Sequence, residues 1–259
     1  MTLTYAVRAH NTATQSENRI HADDVAQQYG FKGGLVPGVT VYAYMVRPVA
    51  ERWGLGWVEH GSLNARFVKP VYEGDATTVE FDDDSGALTV RNGRGETCAT
   101  GTAGRHARAV PDVGGYSEAP LPATRHPASP ESLAAGTPLG SLDAGFHADK
   151  AEEYLGPIAD DLALWRTAAV AHPGYIVSFA NYILSSNVKL GPWIHVETTA
   201  EHFSAVADGE RWSIRGRTAA CYERKGHKFV DLDLLVVADA TRPVMAIRHT
   251  AIYEPVRRA

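Results

Sequence analysis

Apolar positions fall into two similar blocks separated by a polar, proline-rich stretch. In the first block Val39, Tyr42, Met45, Val46, Val49 and Trp53 recur at helical spacing. The segment Val39 to Trp53 is therefore expected to be a helix with a wide buried face, bent or ended by Pro48. Ahead of it a short helix is expected from Asp23 to Tyr29, stopping at Gly30. The turn Gly33-Gly34-Leu35-Val36-Pro37-Gly38 leads from one to the other. After the long helix the period changes to two. Leu63, Ala65 and Phe67 alternate within Gly61 to Val71, and strands are expected over Ala76 to Phe81, Ala87 to Arg91 and Thr97 to Ala103. Gly74-Asp75, Ser85-Gly86 and Asn92-Gly93 supply the turns.

The second block repeats this order. Ala148 to Arg166 has a helical pattern and an acidic start. His172-Pro173-Gly174 then opens an apolar segment from Tyr175 to Ser186. Strand-like runs follow over Trp193 to Phe203, Arg211 to Tyr222, Lys228 to Val237 and Val244 to Tyr253. Pro37-Gly38 corresponds to Pro173-Gly174, and Phe67 to Phe203 at the same offset, so the chain is a degenerate internal repeat. A long helix followed by an antiparallel sheet, twice over, gives an α+β fold class. The units are expected at 1–106 and 146–259. Between them, 107–145 reads as an extended linker, because six of the chain's 14 prolines fall there.

The chain has 259 residues, enough for one large domain or two small ones, and its 44% hydrophobic content can fill a core. The net charge of −5 argues against a nucleic-acid partner, and no apolar run has the length of a membrane span. Residues 1–7 lack a basic flank and an apolar signal core, so a cytoplasmic location is expected. Cys98 and Cys221 lie far apart in strand-like runs and are expected to be buried, reduced thiols. The histidines do not cluster at ligand spacing, so neither a metal nor another cofactor is expected.

The chemistry concentrates between Ser16 and Met45. A polar loop carries Ser16, Glu17, Asn18 and His21 just upstream of the glycine turn. A helix start leaves backbone N–H groups unpaired, and the helix dipole adds positive charge there, so the turn at Gly38 can hold an oxyanion. Histidine, with an ordinary pKa of about 6.5, suits proton transfer near neutral pH. The second block has no such loop. Its polar candidates are His172, Asn181, Asn187 and His195.

Ser16-Glu17-Asn18-Arg19-Ile20-His21, followed by a short helix and a Gly-containing turn into a long helix, resembles the MaoC-like hydratase/dehydratase family of hot-dog fold. The family's loop reads Asp-x-Asn-Pro-(Leu/Ile)-His. Arg19 stands where proline is usual, and Ser16 stands where the catalytic aspartate is usual. The resemblance implies a double hot dog, in which one half keeps the active site and the other shapes the substrate pocket. It implies a hydratase or dehydratase acting on an acyl thioester of coenzyme A or acyl carrier protein. His21 would be the acid/base, Asn18 and Ser16 would position substrate, and the Gly38 N–H would polarise the thioester carbonyl. Glu17 is the nearest replacement carboxylate, although in extended backbone it points to the other side. Val36, Tyr42, His172 and His195 complete the expected substrate-binding set. Lys225, His227 and the tail Arg257-Arg258 are weaker candidates for touching the phosphates of coenzyme A. The missing aspartate leaves open a related isomerisation or cyclisation on an enolate, or a non-catalytic acyl-binding or partner subunit. One chain already makes the pseudo-dimer, so a further homodimer is compatible but not required.

Overall fold

The computed structural model describes residues 1–106 and 109–257, and Ala148 to Arg166, expected as one helical stretch, forms two short helices, Ala151–Leu155 and Ala163–Thr167, with non-helical backbone between them. The first block contains β1 (Thr2–Arg8), α1 (Asp23–Gln28), α2 (Gly38–His60), β2 (Ser62–Phe67), β3 (Ala76–Asp82), β4 (Ala87–Asn92) and β5 (Thr97–Gly104). The two-residue β6 (His126–Pro127) follows. Then come β7 (Pro138–Gly145), α3 (Ala151–Leu155), α4 (Ala163–Thr167), α5 (Pro173–Asn187) and β8 (Val188–Lys189). β9 (Ile194–His202), β10 (Arg211–Arg224), β11 (His227–Ala238) and β12 (Arg242–Glu254) complete the chain.

The main sheet runs β1-β3-β4-β5-β2-β9-β12-β11-β10-β7. All its pairings are antiparallel. The order is the internal repeat drawn out: β1, β3, β4, β5 and β2 answer β7, β10, β11, β12 and β9. The halves meet where β2 pairs β9, with Asn64 opposite Thr199. There Asn64 Nδ2 donates to Thr199 Oγ1 at 2.8 Å and to Glu197 Oε1 at 3.1 Å. Helices α2 and α5 pack on each other and on the same face of this sheet, and the core lies between. In β3 the alternation predicted from sequence is visible directly: Thr77, Val79 and Phe81 are buried while their neighbours are not.

Several expectations need correction. Helix α2 passes through Pro48 and continues to His60, and its non-helical residue is Gly54 at φ 68°. Pro48 is buried, as are Thr40 to Val46 before it and Val49 and Ala50 after it, so packing outweighs the lost backbone hydrogen bond. The break falls on the residue without a Cβ, which tolerates positive φ. The expected linker is also too long, because its last part is the edge strand β7, paired with β10. The boundary residue 107 lies outside the described residues. In the remainder Tyr116 donates to Asp233 of β11 at 2.8 Å, and β6 pairs with β8. Cys98 is buried as expected, whereas Cys221 is only half-buried.

Candidate active site

The His21 loop is held by its own polar atoms. Asn18 caps the short turn Arg19–His21, its Oδ1 accepting from Ile20 N at 3.3 Å. Ile20 is buried with Ala26, Tyr29 and Leu35, which anchors the loop through apolar contact. Gly34 fits because it has no side chain: a Cβ there would lie 2.1 Å from the carbonyl oxygen of His21. Its N–H donates to Asp23 Oδ1 at 2.7 Å. The glycine turn is thus clamped to the histidine loop.

This clamp sets the tautomer of His21. Nδ1 lies 2.7 Å from the carbonyl oxygen of Leu35, which can only accept, so Nδ1 carries the proton. Nε2 is then the lone-pair nitrogen of a neutral ring, 3.3 Å from Asn18 Nδ2. Burial pushes the pKa of His21 below its ordinary value, and the Leu35 carbonyl opposes this only in part. His21 is therefore a neutral base at neutral pH.

Asn18 is committed in all directions. Its Nδ2 donates to Trp193 O at 2.9 Å, and its Oδ1 accepts from Trp193 N at 3.1 Å. It ties the first-half loop to the start of β9. Ser16 is exposed, and its Oγ accepts from Asn18 N at 3.1 Å, an ordinary hydroxyl turn. Glu17 pairs with Arg125, 3.1 Å distant, with an 81% exposed side chain.

Three clefts surround these residues. One of about 570 Å³ is lined by Ser16, Glu17, Asn18, His21, Arg125 and Asn181 among others. A second of about 640 Å³ is lined by His21, Val36, Gly38, Phe67, Asn181 and His195 among others. Asn18, His21, Pro37, Asn181 and Trp193 line both, so His21 stands where the two adjoin. Lys225 and His227 line the second cleft as well. Arg257 lies over the Tyr29 ring, 5.8 Å from its centroid, and Arg258 is outside the described residues. The third cleft, of about 650 Å³, is rich in aromatic side chains and is lined by His172.

The structure thus places Asn18 and His21 at both clefts, Ser16 and Glu17 at the first, and Val36, Gly38 and His195 at the second. It separates two expected residues from them. Tyr42 is fully buried in the core and lines none of the three clefts, because the helix face that carries it packs inward. His172 caps α5: its Nδ1 accepts from Gly174 N at 2.9 Å, and its Nε2 lies 3.3 Å from Asp160 Oδ2. Its Nδ1 is occupied, and its Nε2 faces Asp160 without a hydrogen bond. Asn187 is likewise structural, exchanging hydrogen bonds with Gly140 at 2.6 and 2.9 Å. Asn181 gains importance, since its Oδ1 is buried at the cleft junction without a partner. A lone amide inside the apolar run Tyr175 to Ser186 was its signal in the sequence. Arg125 carried none, because nothing local in a proline-rich stretch says where it docks.

At the start of α2, Pro37 offers no side-chain cap. Thr40 N and Val41 N donate to Pro37 O, and Gly38, the first residue of the helix, lines the second cleft. Gly38 lies against His195: a Cβ at residue 38 would sit 2.6 Å from His195 Nδ1. The start of α2, the neutral imidazole of His21 and the unpartnered amide of Asn181 all line this cleft.

No protein-family model matches the chain, and no curated protein matches it in sequence. Solved structures do match in fold. A protein described as a MaoC domain dehydratase from Chloroflexus aurantiacus superposes with TM-score 0.63 at 11% identity, over 100% of this chain and 95% of that one. A Mycobacterium tuberculosis protein described as having a double hot-dog fold gives TM-score 0.63 at 15% identity, over 97% and 95%. A protein described as an oleoyl thioesterase from Lactobacillus plantarum gives TM-score 0.58 at 10% identity, over 99% and 97%. The mirrored strand order, the paired helices and these superpositions make the chain a double hot-dog protein, with the same fold as MaoC-like dehydratases.

Proposed function

We propose that the chain is a hydratase/dehydratase-type lyase acting on an acyl thioester, with coenzyme A or acyl carrier protein as the thiol carrier. The observation that carries this reading is the placement of His21. A neutral imidazole with Nδ1–H fixed on Leu35 stands at the junction of two clefts, and the second of these includes the uncapped start of α2. In the hydration direction His21 Nε2 takes a proton from water as its oxygen bonds to C3 of an enoyl thioester. The C2=C3 electron pair moves toward the carbonyl oxygen, which the Gly38 N–H stabilises. The protonated His21 then returns a proton to C2. Asn18 orients the imidazole, and Ser16 and Val36 lie at the substrate.

One base does the work of two here, because Ser16 supplies no carboxylate and that of Glu17 is paired with Arg125. The same observation favours a second reading, a non-catalytic acyl-binding or partner subunit. Isomerisation or cyclisation of an enolate needs only the one acid/base and the oxyanion site. The test is a panel of enoyl and 3-hydroxyacyl thioesters followed by mass spectrometry. His21→Ala should lower turnover by about 10²–10⁴-fold with an unchanged circular dichroism spectrum. Ser16→Asp should raise hydration, by less than that factor if the two groups are not held at the right separation. Folded variants that change no rate on any substrate would leave the binding-subunit reading standing.

A further inference from the structure

Three polar side chains of the second half form a chain inside apolar surroundings, and their presence there calls for a reason. His195 on β9 is 7% exposed, Thr198 0% and His249 1%. His195 Nε2 lies 2.7 Å from Thr198 Oγ1, which lies 2.9 Å from His249 Nδ1. The two imidazoles stack with centroids 4.1 Å apart and planes at 27°. Phe67 packs edge-on to His195, with centroids 4.7 Å apart. Two atoms of the group have no partner: His195 Nδ1, which lies against Gly38, and His249 Nε2 at the far end. Buried polar groups are normally satisfied, so an orphan that lines a cleft is a vacancy for a ligand atom.

Counting protons decides what that vacancy offers. The threonine hydroxyl has one hydrogen and faces two ring nitrogens. If it donates to His249 Nδ1, then His195 Nε2–H donates to it, and His249 must bury an Nε2–H with no acceptor. If it donates to His195 Nε2, then His249 Nδ1–H donates to it, a lone pair is left at His249 Nε2, and the unmet N–H falls on His195 Nδ1. Each arrangement leaves one buried N–H unmet, but only the second puts it beside Gly38 on a residue that lines a cleft, where the oxygen of a ligand can accept from it. Burial and the neighbouring ring hold His195 well below the ordinary histidine value, and burial holds His249 at about 3, so both rings are neutral at neutral pH.

The geometry points to His195 Nδ1–H as a second donor to the thioester carbonyl oxygen beside the start of α2, with Thr198 and His249 holding its imidazole in the donor tautomer. This rests on the thioester reading above. It makes His195 a catalytic residue contributed by one half to the site of the other. Thr198 and His249 are positioning residues that never touch substrate. It also explains why residue 38 is glycine, since a side chain there would occupy the place of the carbonyl oxygen.

The tautomer can be read without any turnover. In the full chain labelled with ¹⁵N-histidine, long-range proton–nitrogen spectra should show His195 protonated at Nδ1. Thr198→Val should mix or reverse the tautomers, and Thr198→Ser should restore the wild-type pattern. His195 protonated at Nε2 in the wild type would overturn the proposal. On an active substrate, His195→Phe should lower kcat by about 10²–10³-fold, as expected for one oxyanion donor. Thr198→Val should cost roughly tenfold in kcat with little change in KM, and Thr198→Ser should recover it. A folded His195→Phe protein with wild-type kcat would also refute it. If the wild type turns over no thioester, the function reading fails, and the donor role is judged by a ketone analogue of butyryl-CoA with CH₂ in place of sulfur. Binding with a downfield move of the His195 Nδ1 proton supports it. Binding without that move, or no binding at millimolar analogue, counts against it.

Discussion

Helices α2 and α5 begin at the same Pro-Gly step, and the two starts are opposites in chemistry. At α5 the residue before the proline is His172, which folds back onto Gly174 N and closes the helix end. Its ring packs against Trp165 and Tyr154, with centroids 4.6 and 5.4 Å away, and its far nitrogen faces Asp160. At α2 the corresponding residue is Val36, and Pro37 itself is the cap position, with no side chain able to accept. Gly38 lines the second cleft together with His21, and His195 arrives from the other half. A duplicated skeleton thus carries one helix end closed by a histidine and one without a side-chain cap. A single residue before a Pro-Gly step decides which. Filling the second end releases its surroundings to pack as core.

The comparison can be broken most severely by cutting the halves apart. A 1–106 fragment would expose β2, which now pairs β9, and the face of α2 that now meets α5. It is expected to be insoluble or to self-associate, because an open strand edge and an apolar helix face both seek partners. A monodisperse monomer in size-exclusion chromatography would contradict this. Gly38→Ala comes next. Its Cβ would strike His195 Nδ1, so steady-state thioester kinetics should show a loss of about 10²–10³-fold, with a modest change in melting temperature. Gly174→Ala should do the reverse. Its Cβ meets Tyr154 Oη at 2.5 Å and Ala43 Cβ at 2.9 Å, so stability should fall by about 1–3 kcal/mol while kcat of the folded protein holds. His172→Ala removes the plug and should cost about 0.5–2 kcal/mol in urea unfolding, again without loss of turnover.

The smallest effects are those of pH. Burial depresses His21, His195, His202 and His249, the last two to about 4 and about 3. The unfolded chain takes up these protons near the ordinary value of about 6.5, before the folded protein does, so it binds more protons as pH falls. The stabilising contribution of the neutral rings is therefore full above about pH 6.5 and declines as pH drops toward 4. A thermal midpoint that is flat between pH 7 and 4 would count against this. Turnover should also fall on the acid side as His21 is protonated, and should not lose its base through the neutral range.

Much of this architecture is legible in local pattern. The change from helical to alternating period, made twice around two Pro-Gly steps, specifies two helices and two antiparallel sheets, because each element must bury one face. Asn18, His21 and Gly38 stand out for the same reason: a polar loop ahead of a glycine turn is local chemistry. Other features depend on which distant surfaces meet. Pro48 reads as a stop, yet the core on both sides holds the helix through it. The linker reads as structureless, yet its end completes a sheet by pairing with a strand further on, Pro138 lying opposite Arg217. His172 and His195 look equivalent in the sequence, each a lone histidine near an apolar run. Only the pairing of β2 with β9 and the docking of α5 on α2 turn one into a buried cap and bring the other against Gly38. The sequence by itself therefore determined the elements, their repetition and the reactive loop, since these follow from spacing a few residues apart. The tertiary structure alone decided which helix end stays uncapped and which histidine faces it, because a cleft is made by side chains whose neighbours in space are far apart in the chain.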